Sequence, residues 1–352
     1  MVHTFEIRTK TTLKKGKLFL EKYASEKDVK DLESSGKTWT YPVKNPINLP
    51  GINKLTFRKI SDGEVYSDIV VELVIEPENL IRGCKVIDLY VCSDKNNELL
   101  KERLEQRLIE MFPNTSQART ENWHMSRIDY AINLVSENVP ELVKLFKYGK
   151  DPYRYKEVVN RKGSAYREGK SVRLNFYDKY DHISKKDHPQ REDLLEQAKN
   201  ILRIEVQCLN SDKLKNIREK HGIGSDVSVY DYLNKEISED IISFYYLRVA
   251  GSEDYYCEKE AKKIIESSGW RKGKKARIMN FLKVISQIKN VSKAREQFVV
   301  EQKQKNPEIF IQGSQGTFYN YLRDMKKIGI NPVLIPKSWH IKKIENPFSE
   351  IY

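Results

Sequence analysis

Short segments rich in apolar and β-branched residues recur through the first 210 residues of the chain. In several of them apolar and polar positions alternate, which is typical of β-strands because successive side chains point to opposite faces. Ser61-Asp62-Gly63 is a turn signal, so the segments on either side of it, residues 55–60 and 66–75, should form a hairpin. The predicted strands are residues 55–60, 66–75, 86–91, 126–134, 171–178 and 201–209.

Other segments repeat apolar residues every three or four positions, as expected for helices with one buried face. The predicted helices are residues 97–112, 139–147, 230–244, 278–288 and 317–328, and residues 190–200 have helix composition. Residues 154–170 should form a loop or an irregular hairpin. The pattern therefore predicts an α+β protein, with an antiparallel sheet in residues 1–250 and a mostly helical domain in residues 251–352.

Composition places the 352 residues among soluble globular proteins, because 39% are hydrophobic and 32% are charged. No apolar run is long enough to span a membrane, and the N-terminus lacks the apolar core of a signal peptide. The four cysteines are scattered without a Cys-x-x-Cys motif, so neither a zinc knuckle nor a disulfide framework is expected. A reducing, cytoplasmic location is the resulting expectation.

The net charge of +13 is concentrated near the C-terminus. Residues 261–344 contain 19 Lys and Arg against 5 Asp and Glu, a net of +14, so the remainder of the chain carries −1. A localised basic surface attracts polyanions by releasing their counterions. Nucleic acid is the leading expected partner, and an anionic membrane surface is the alternative.

Three of the predicted strands carry polar residues on one face and apolar residues on the other. If these strands are neighbours, the sheet gathers two carboxylates, a tyrosine and several cations on one side. The same pattern also fits a cross-strand ladder of ion pairs on a solvated face. The polar residues are Arg127 and Asp129 in the first strand, Arg173, Asn175, Tyr177 and Lys179 in the second, and Arg203, Glu205 and Gln207 in the third.

These residue types suit phosphodiester cleavage. Asp129 and Glu205 can bind Mg²⁺ or Mn²⁺, which prefer oxygen ligands. Tyr177 can act as a nucleophile, and Lys179 and Arg173 should lie on the same strand face, where their charge favours the phenolate. The arginines, Arg203 among them, can also clamp the phosphate. Tyr180 is a rival nucleophile: it would face the other side of a continuing strand, but it could reach the site if the strand bends at Asp178.

The segments HMSRIDYAINL, SVRLNFYDKYD and NILRIEVQCLN resemble, in this order, signature blocks of rolling-circle replication initiators. The resemblance is closest to the filamentous-phage gene II/X family, and it covers residues 71–209. Residues 75–83 resemble a further block, in which asparagine usually replaces Glu76. Staphylococcal rolling-circle plasmid initiators share the blocks that contain Tyr177 and Glu205.

This resemblance implies a nuclease with the fold of rolling-circle initiators. Such an enzyme nicks one DNA strand, stays joined to the 5′ phosphate through a tyrosine and leaves a 3′ hydroxyl for a polymerase. It implies Tyr177 as nucleophile and Asp129 and Glu205 as metal ligands. The expected partners are single- and double-stranded DNA at an origin, with a host helicase and polymerase, and a homodimer is one of the assemblies it allows.

One departure from related initiators concerns the metal. Many rolling-circle initiators and relaxases bind it through a His-hydrophobic-His triplet, and no histidines here have that spacing. The site should therefore consist mainly of carboxylates. Candidates for a further ligand are His124, Asp178, Gln207 and Glu72, although the strand parity of His124 favours a structural role.

The C-terminal helix predicted at residues 317–328 has an apolar stripe and an exposed polar side. With a helix at residues 292–304 before it and a strand-like segment at residues 333–335 after it, it resembles a helix-turn-helix or winged-helix arrangement. A solvated basic face is the alternative. The candidate DNA-binding residues are Tyr319, Arg323, Lys326 and Lys327 on this helix, and Arg271, Lys272, Lys274, Lys275 and Arg277, which should contact phosphates.

The function indicated by the sequence is metal-dependent, site-specific nicking and rejoining of DNA at a rolling-circle origin. A non-catalytic initiator or repressor that only binds the origin is one alternative. A relaxase for conjugative mobilisation is another, because its chemistry is nearly the same.

Overall fold

The computed structural model describes residues 1–34, 38–43, 50–61, 67–151, 156–157, 163–186, 190–300 and 315–351. The chain divides into two compact units. The first unit comprises Met1–Ile132, Lys170–Arg173 and Glu205–Ile241, and the second comprises Asn133–Gly169, Leu174–Ile204 and Ile242–Tyr352. The predicted domains, residues 1–250 and 251–352, are parts that would fold independently, which the compact units do not test. This division stays a prediction.

Nine strands form the main sheet, in the order β2-β3-β4-β1-β5-β9-β8-β7-β6. They are β1 Val2–Thr12, β2 Thr38–Pro42, β3 Ile52–Ser61, β4 Ser67–Ile75, β5 His124–Val135, β6 Lys156–Glu157, β7 Ser164–Glu168, β8 Val172–Asp178 and β9 Ile201–Cys208. β1 pairs antiparallel with both β4 and β5. A second, two-stranded sheet pairs β10 Tyr255–Tyr256 with β11 Lys343–Ile344.

Helices flank the strands and dominate the C-terminal region. They are α1 Leu13–Leu20, α2 Glu26–Ser34, α3 Pro77–Arg82, α4 Asp94–Met111, α5 Val139–Tyr148, α6 Lys179–Ser184, α7 Arg191–Gln197, α8 Ser211–His221, α9 Lys235–Val249, α10 Glu258–Ser267, α11 Lys272–Ile288, α12 Val291–Val300 and α13 Gln315–Lys327. The predicted α+β class, with an antiparallel sheet and a mostly helical C-terminal region, is confirmed. Among the described residues, no helix combines the length and the apolar character needed to cross a membrane.

Most predicted elements are present with small changes in their ends. β3 and β4 form the predicted antiparallel pair, although the turn that contains Asp62 and Gly63 lies outside the described residues. The helix predicted at residues 97–112 begins three residues earlier, because the Ser93 hydroxyl accepts a hydrogen bond from the Asn96 backbone and caps α4. Of the helix predicted at residues 292–304, the part beyond residue 300 is outside the described residues.

Two predicted strands are wrong. Residues 86–91 contain no strand, and Tyr90 makes only an isolated bridge to Val2. Residues 333–335 likewise contain no strand, and Ile335 makes a single bridge to Cys257. Ile87, Tyr90 and Ile335 are all buried. The apolar residues of these two segments are therefore explained by burial of irregular backbone and not by strand pairing.

In the first unit, β1 has an apolar face and a polar face. Ile7 lies opposite Leu73 of β4 in the core, and both side chains are fully buried. The Thr12 hydroxyl caps α1, and Gly16 of this helix allows it to lie directly against Ile69 of β4. Because side chains alternate along a strand, the charged residues Glu6, Arg8 and Lys10 of β1 lie on the opposite face of the sheet.

The second unit has an aromatic core. Phe146 of α5 contacts Phe176 of β8, Tyr246 of α9 and Tyr255 of β10, with ring centroids 5.3 to 6.4 Å apart. Phe348 stacks on Tyr246 at 5.7 Å. Residues far apart in the chain are thereby joined in one cluster, which fixes the end of α9 against the small β10–β11 sheet.

Candidate functional site

Asp129 lies in the middle of β5 and is 1% exposed. Arg127, two residues earlier on the same strand, binds both of its carboxylate oxygens. The Thr4 hydroxyl of β1 donates to Oδ2 at 2.5 Å, and the Gln207 amide of β9 lies 3.5 Å from the same oxygen. The predicted Arg-x-Asp pair is therefore a buried ion pair supported from two neighbouring strands.

Burial raises the pKa of the Asp129 carboxyl, and its bonds with Arg127 and Thr4 oppose this rise. The negative charge of Glu205 raises the same pKa, because a second nearby anion disfavours ionisation. For Arg127, burial opposes the charged form. The hydrogen bond and charge of Asp129, with the charges of Glu6 and Glu205, nevertheless raise the pKa of Arg127 above its usual value. Arg127 is thus the cation that compensates both carboxylates.

Glu205 of β9 is also buried, at 4% exposed. The Nδ1 atom of His3 lies 3.0 Å from its Oε1. Neither His3 nor Thr4 was predicted as a site residue. The start of β1 offered little signal, because these two polar residues are adjacent between the buried Val2 and Phe5 and do not alternate with them.

The donor set at this position fits a hard divalent cation in type but not in number. Carboxylate oxygens of Asp129 and Glu205 and the hydroxyl of Thr4 are oxygen donors of the kind that Mg²⁺ prefers, and the imidazole of His3 suits Mn²⁺. Within the described ranges, no group of three or more His, Cys, Asp or Glu residues is arranged to hold a metal. Because Arg127 occupies both oxygens of Asp129, a metal there requires this ion pair to open.

The other candidate ligands have different roles in the structure. Glu72 of β4 binds Arg58 of β3 at 2.5 Å. Asp178 caps α6 by accepting the Asp181 backbone N–H. The side-chain oxygen of Gln207 accepts a hydrogen bond from the Arg173 guanidinium at 3.3 Å. His124 is exposed at the start of β5, where the sequence analysis favoured a structural role for it.

The strand that carries Tyr177 ends where it was predicted to end, and Lys179 is not part of it. β8 alternates as predicted up to Tyr177 and ends at Asp178, and Lys179 is the first residue of α6. Lys179 therefore does not share a strand face with Arg173, and this part of the prediction is wrong. The reason is the Asp178 cap, which begins a helix at Lys179.

The two candidate tyrosines differ in exposure. Tyr177 is 4% exposed, and its ring centroid lies 5.0 Å from the His182 ring. The Nζ atom of Lys179 lies 5.9 Å from the Tyr177 ring centroid. Tyr180, on the first turn of α6, is 41% exposed. Lys179 thus supplies positive charge near Tyr177, whereas Tyr180 is the more accessible phenol.

Arg203 was predicted to contact phosphate, but the structure buries it within the second unit. It is 1% exposed, and its Nε donates to the Asn133 side chain at 2.7 Å. A guanidinium held this way supports β9 and β5 rather than presenting a charge to solvent. The guanidinium that was predicted to contact phosphate is therefore enclosed in this structure.

Most of the predicted C-terminal DNA-binding residues are exposed. Lys274 differs, because it binds Asp324 at 2.8 Å and lies 4.6 Å from the Trp270 ring centroid. Lys275 donates to the Glu266 backbone carbonyl at 2.5 Å. Lys274 thereby connects α11 to α13, and Lys275 connects α11 to α10. The exposed members of the set are Arg271, Lys272, Arg277, Tyr319, Arg323, Lys326 and Lys327.

Tyr319 has an environment that the sequence did not reveal. Arg295 of α12 donates to its hydroxyl at 3.0 Å, and this bond lowers the pKa of the phenol. Arg295 and Tyr319 thereby form one polar group on the exposed side of α12 and α13.

Comparison with known proteins supplies one match. Residues 56–225 match a family described as the N-terminal domain of a phage replication-associated protein, the gene II protein of filamentous phages. No curated protein and no solved structure matches the chain. The matched segment contains Asp129, Tyr177 and Glu205 together with all of β5, β8 and β9.

Proposed function

We propose that this chain, whose residues 56–225 match the replication-associated gene II protein family of filamentous phages, initiates rolling-circle DNA replication by nicking one strand at an origin. The proposed activity is metal-dependent, site-specific endonuclease and strand-transfer activity with a tyrosine nucleophile. The observation that carries the proposal is the cluster of two buried carboxylates, Asp129 and Glu205, within the matched domain.

The carboxylate cluster supports metal chemistry because burial of ionisable groups is costly. Proteins retain such groups where they are paired or where they bind a cation. A bound Mg²⁺ or Mn²⁺ would act as a Lewis acid on the scissile phosphate. Asp129 and Glu205 are the residues proposed to hold it, after the ion pair between Asp129 and Arg127 opens.

The proposed covalent step uses the phenol of Tyr177. The phenol loses its proton to water, its oxygen attacks the phosphorus, and the bond from phosphorus to the 3′ oxygen breaks. The 3′ oxygen takes a proton from water and leaves as a 3′ hydroxyl. Lys179, which lies near the ring, favours the phenolate by its positive charge. Tyr180 is the second candidate, because its greater exposure makes it accessible without a movement of the chain.

The C-terminal region is proposed to hold the duplex origin. α12 and α13 contact each other, and α13 presents Tyr319, Arg323, Lys326 and Lys327 on one side, which suits a helix that enters the major groove. Arg271 and Lys272, at the start of α11, are placed to contact phosphates.

Nicking of supercoiled DNA that carries the replicon's own origin tests this proposal. With Mn²⁺, the wild-type protein should convert supercoiled circles into nicked circles. Asp129→Asn and Glu205→Gln should each lower the nicking rate by at least about 100-fold, since each removes a proposed ligand. Binding of origin duplex should stay within about threefold of wild type, because the basic C-terminal region is unchanged.

Asp88→Asn and Glu137→Gln are matched controls, since both residues are exposed and lie outside the carboxylate cluster. They should nick at the wild-type rate. Wild-type protein that binds the origin but never produces nicked circles would support the non-catalytic initiator instead. Equal losses of nicking and binding in Asp129→Asn would mean that the carboxylate is structural.

A further inference from the structure

Polar side chains continue along β1 away from Asp129. Thr4 lies opposite Asp129, Arg8 lies opposite both His124 and Glu72, and Lys10 follows on the same face. At 3.3 to 3.4 Å per residue, Arg8 lies about 13 Å along the strand from Thr4. The face that carries the Asp129 carboxylate therefore becomes basic toward the end of β1.

A groove of about 780 Å³ opens over this basic part of the sheet. Arg8 and Lys10 of β1, Arg58 of β3 and His124 of β5 line it from the sheet, and Gln117 and Asn122 line it from two short 3₁₀ turns. All of these residues belong to the first unit.

Hydrogen bonds hold the wall of the groove in place. The Gln117 amide donates to the Lys10 carbonyl at 3.3 Å, and the Trp123 indole donates to the Gln117 carbonyl at 2.9 Å. The Asn122 amide donates to the Ser116 carbonyl at 2.8 Å. Because the wall is tied to β1, the groove is formed before any ligand binds.

The charge of the groove is positive. Arg8 and Lys10 are exposed, and Arg58 directs a guanidinium along the same rim while it binds Glu72. Glu121 is the single acidic side chain among the described residues that line the groove. None of these described lining residues is a Phe, Tyr or Trp that could stack on a base. The surface therefore suits phosphates rather than bases.

We infer that this groove binds the phosphates of single-stranded DNA beside the position where the strand is cut. The inference rests on the proposed function, because it takes the Asp129 cluster as the place of cutting. The volume of the groove, about 780 Å³, lies within the range of about 300–1,000 Å³ that is typical of sites for small ligands. Arg8 and Lys10 supply the phosphate contacts, which hold the strand without regard to sequence.

Salt-dependent binding of single-stranded DNA by the full chain tests the inference. The probe is an oligo-dT of about 20 nucleotides, measured by fluorescence anisotropy against a duplex of the same length. The double variant Arg8→Ala/Lys10→Ala should lower the slope of log K against log salt by about 1.4, since each single-strand phosphate contact contributes about 0.7. Over one decade of salt that difference corresponds to about 25-fold in affinity.

Two further variants isolate the effect of charge at the groove. Lys95→Ala/Lys101→Ala removes the same charge from exposed positions on α4 that do not line the groove, and it should bind as wild type does. Arg8→Lys/Lys10→Arg keeps the charge and should keep the slope. An unchanged slope in the alanine variant would overturn the inference. Equal losses on single strand and duplex would overturn the assignment to single-stranded DNA.

Covalent adduct formation with Mn²⁺ separates this inference from the proposed function. If the wild type forms an adduct, the Arg8→Ala/Lys10→Ala variant should form it only at higher DNA concentration, and an unchanged half-saturating concentration would contradict the groove. If the wild type forms no adduct, the proposed function fails, while the salt slopes still decide whether the groove binds a single strand.

Discussion

At Asp129, burial and ion pairing act against each other. Removal from water raises the pKa of the carboxyl, while Arg127 and Thr4 stabilise its charged form. A carboxylate balanced in this way can exchange its guanidinium partner for a divalent cation, because both compensate the same charge. The same residue therefore serves stability without metal and catalysis with it in the proposed function.

Burial is the largest influence on the pKa of the buried thiols of the first unit, and it outweighs the opposing charges of the Met1 ammonium at Cys92 and of Lys213 at Cys208. It raises the pKa of Cys92 to about 11 and that of Cys208 to about 12, whereas Cys84 is exposed. Only the thiolate reacts with iodoacetamide, so at pH 8 the reactive fraction of Cys208 should be about 1,000-fold below that of a thiol with a pKa near 9. Peptide mapping should find Cys84 modified in the native protein, and Cys92 and Cys208 modified only after unfolding.

Modification of Cys208 at the rate of Cys84 would contradict this prediction, because it would mean that β9 opens readily. The comparison needs no variant, since the exposed cysteine is an internal control in the same chain.

At the scale of elements, α1 lies on β4 at a position that requires glycine. A Cβ atom added at Gly16 would lie 2.5 to 2.9 Å from side-chain atoms of Ile69, closer than carbon atoms can pack. Gly16→Ala should therefore lower the free energy of unfolding by about 1–3 kcal/mol, as overpacking does. The midpoint of urea unfolding measures the change.

Gly273→Ala is the matched control. Gly273 lies in the first turn of α11, and an added Cβ would meet no atom within 4 Å. Alanine there should raise the free energy of unfolding by about 0.5–1 kcal/mol, because glycine is the more flexible residue in the unfolded chain. If Gly16→Ala also stabilised the protein, the close packing of α1 on β4 would be wrong.

Alternation and helical periodicity predicted β5, β8, β9, α4, α5 and α13 because each buries one face of a regular element. The carboxylate cluster was predicted in part, because the alternation of side chains along β5 and β9 indicated Asp129 and Glu205. His3 and Thr4 were not predicted, because they reach the cluster through the pairing of β1 with β5, which joins residues 125 positions apart. The burial of Arg203 was missed for the same reason, as its partner Asn133 lies on another strand.

At the scale of the whole molecule, the aromatic cluster of the second unit joins the predicted catalytic part to the predicted DNA-binding part of the chain. The Tyr246 hydroxyl donates to Asn346 at 2.8 Å, and Phe348 stacks on the same ring. A chain that ends at residue 250 loses both contacts and also Tyr255. We expect this truncated chain to lose cooperative thermal unfolding, measured by circular dichroism.

Asn346→Ala in the full chain tests the contact between Tyr246 and Asn346 with a single substitution. It leaves the buried Tyr246 hydroxyl without its acceptor and should cost about 1–3 kcal/mol of stability. A cooperative, stable fragment of residues 1–250 would instead support the predicted independent domains.

In the proposed reaction, this chain cuts DNA and forms a covalent bond from tyrosine to a 5′ phosphate. Peptide mapping by mass spectrometry, after the full-length protein reacts with single-stranded origin DNA and Mn²⁺, detects this bond. We expect a nucleotide adduct on Tyr177 and none in Tyr177→Phe. An adduct that persists in Tyr177→Phe and disappears in Tyr180→Phe would contradict the choice of tyrosine, and the absence of any protein–DNA adduct would contradict the proposed reaction.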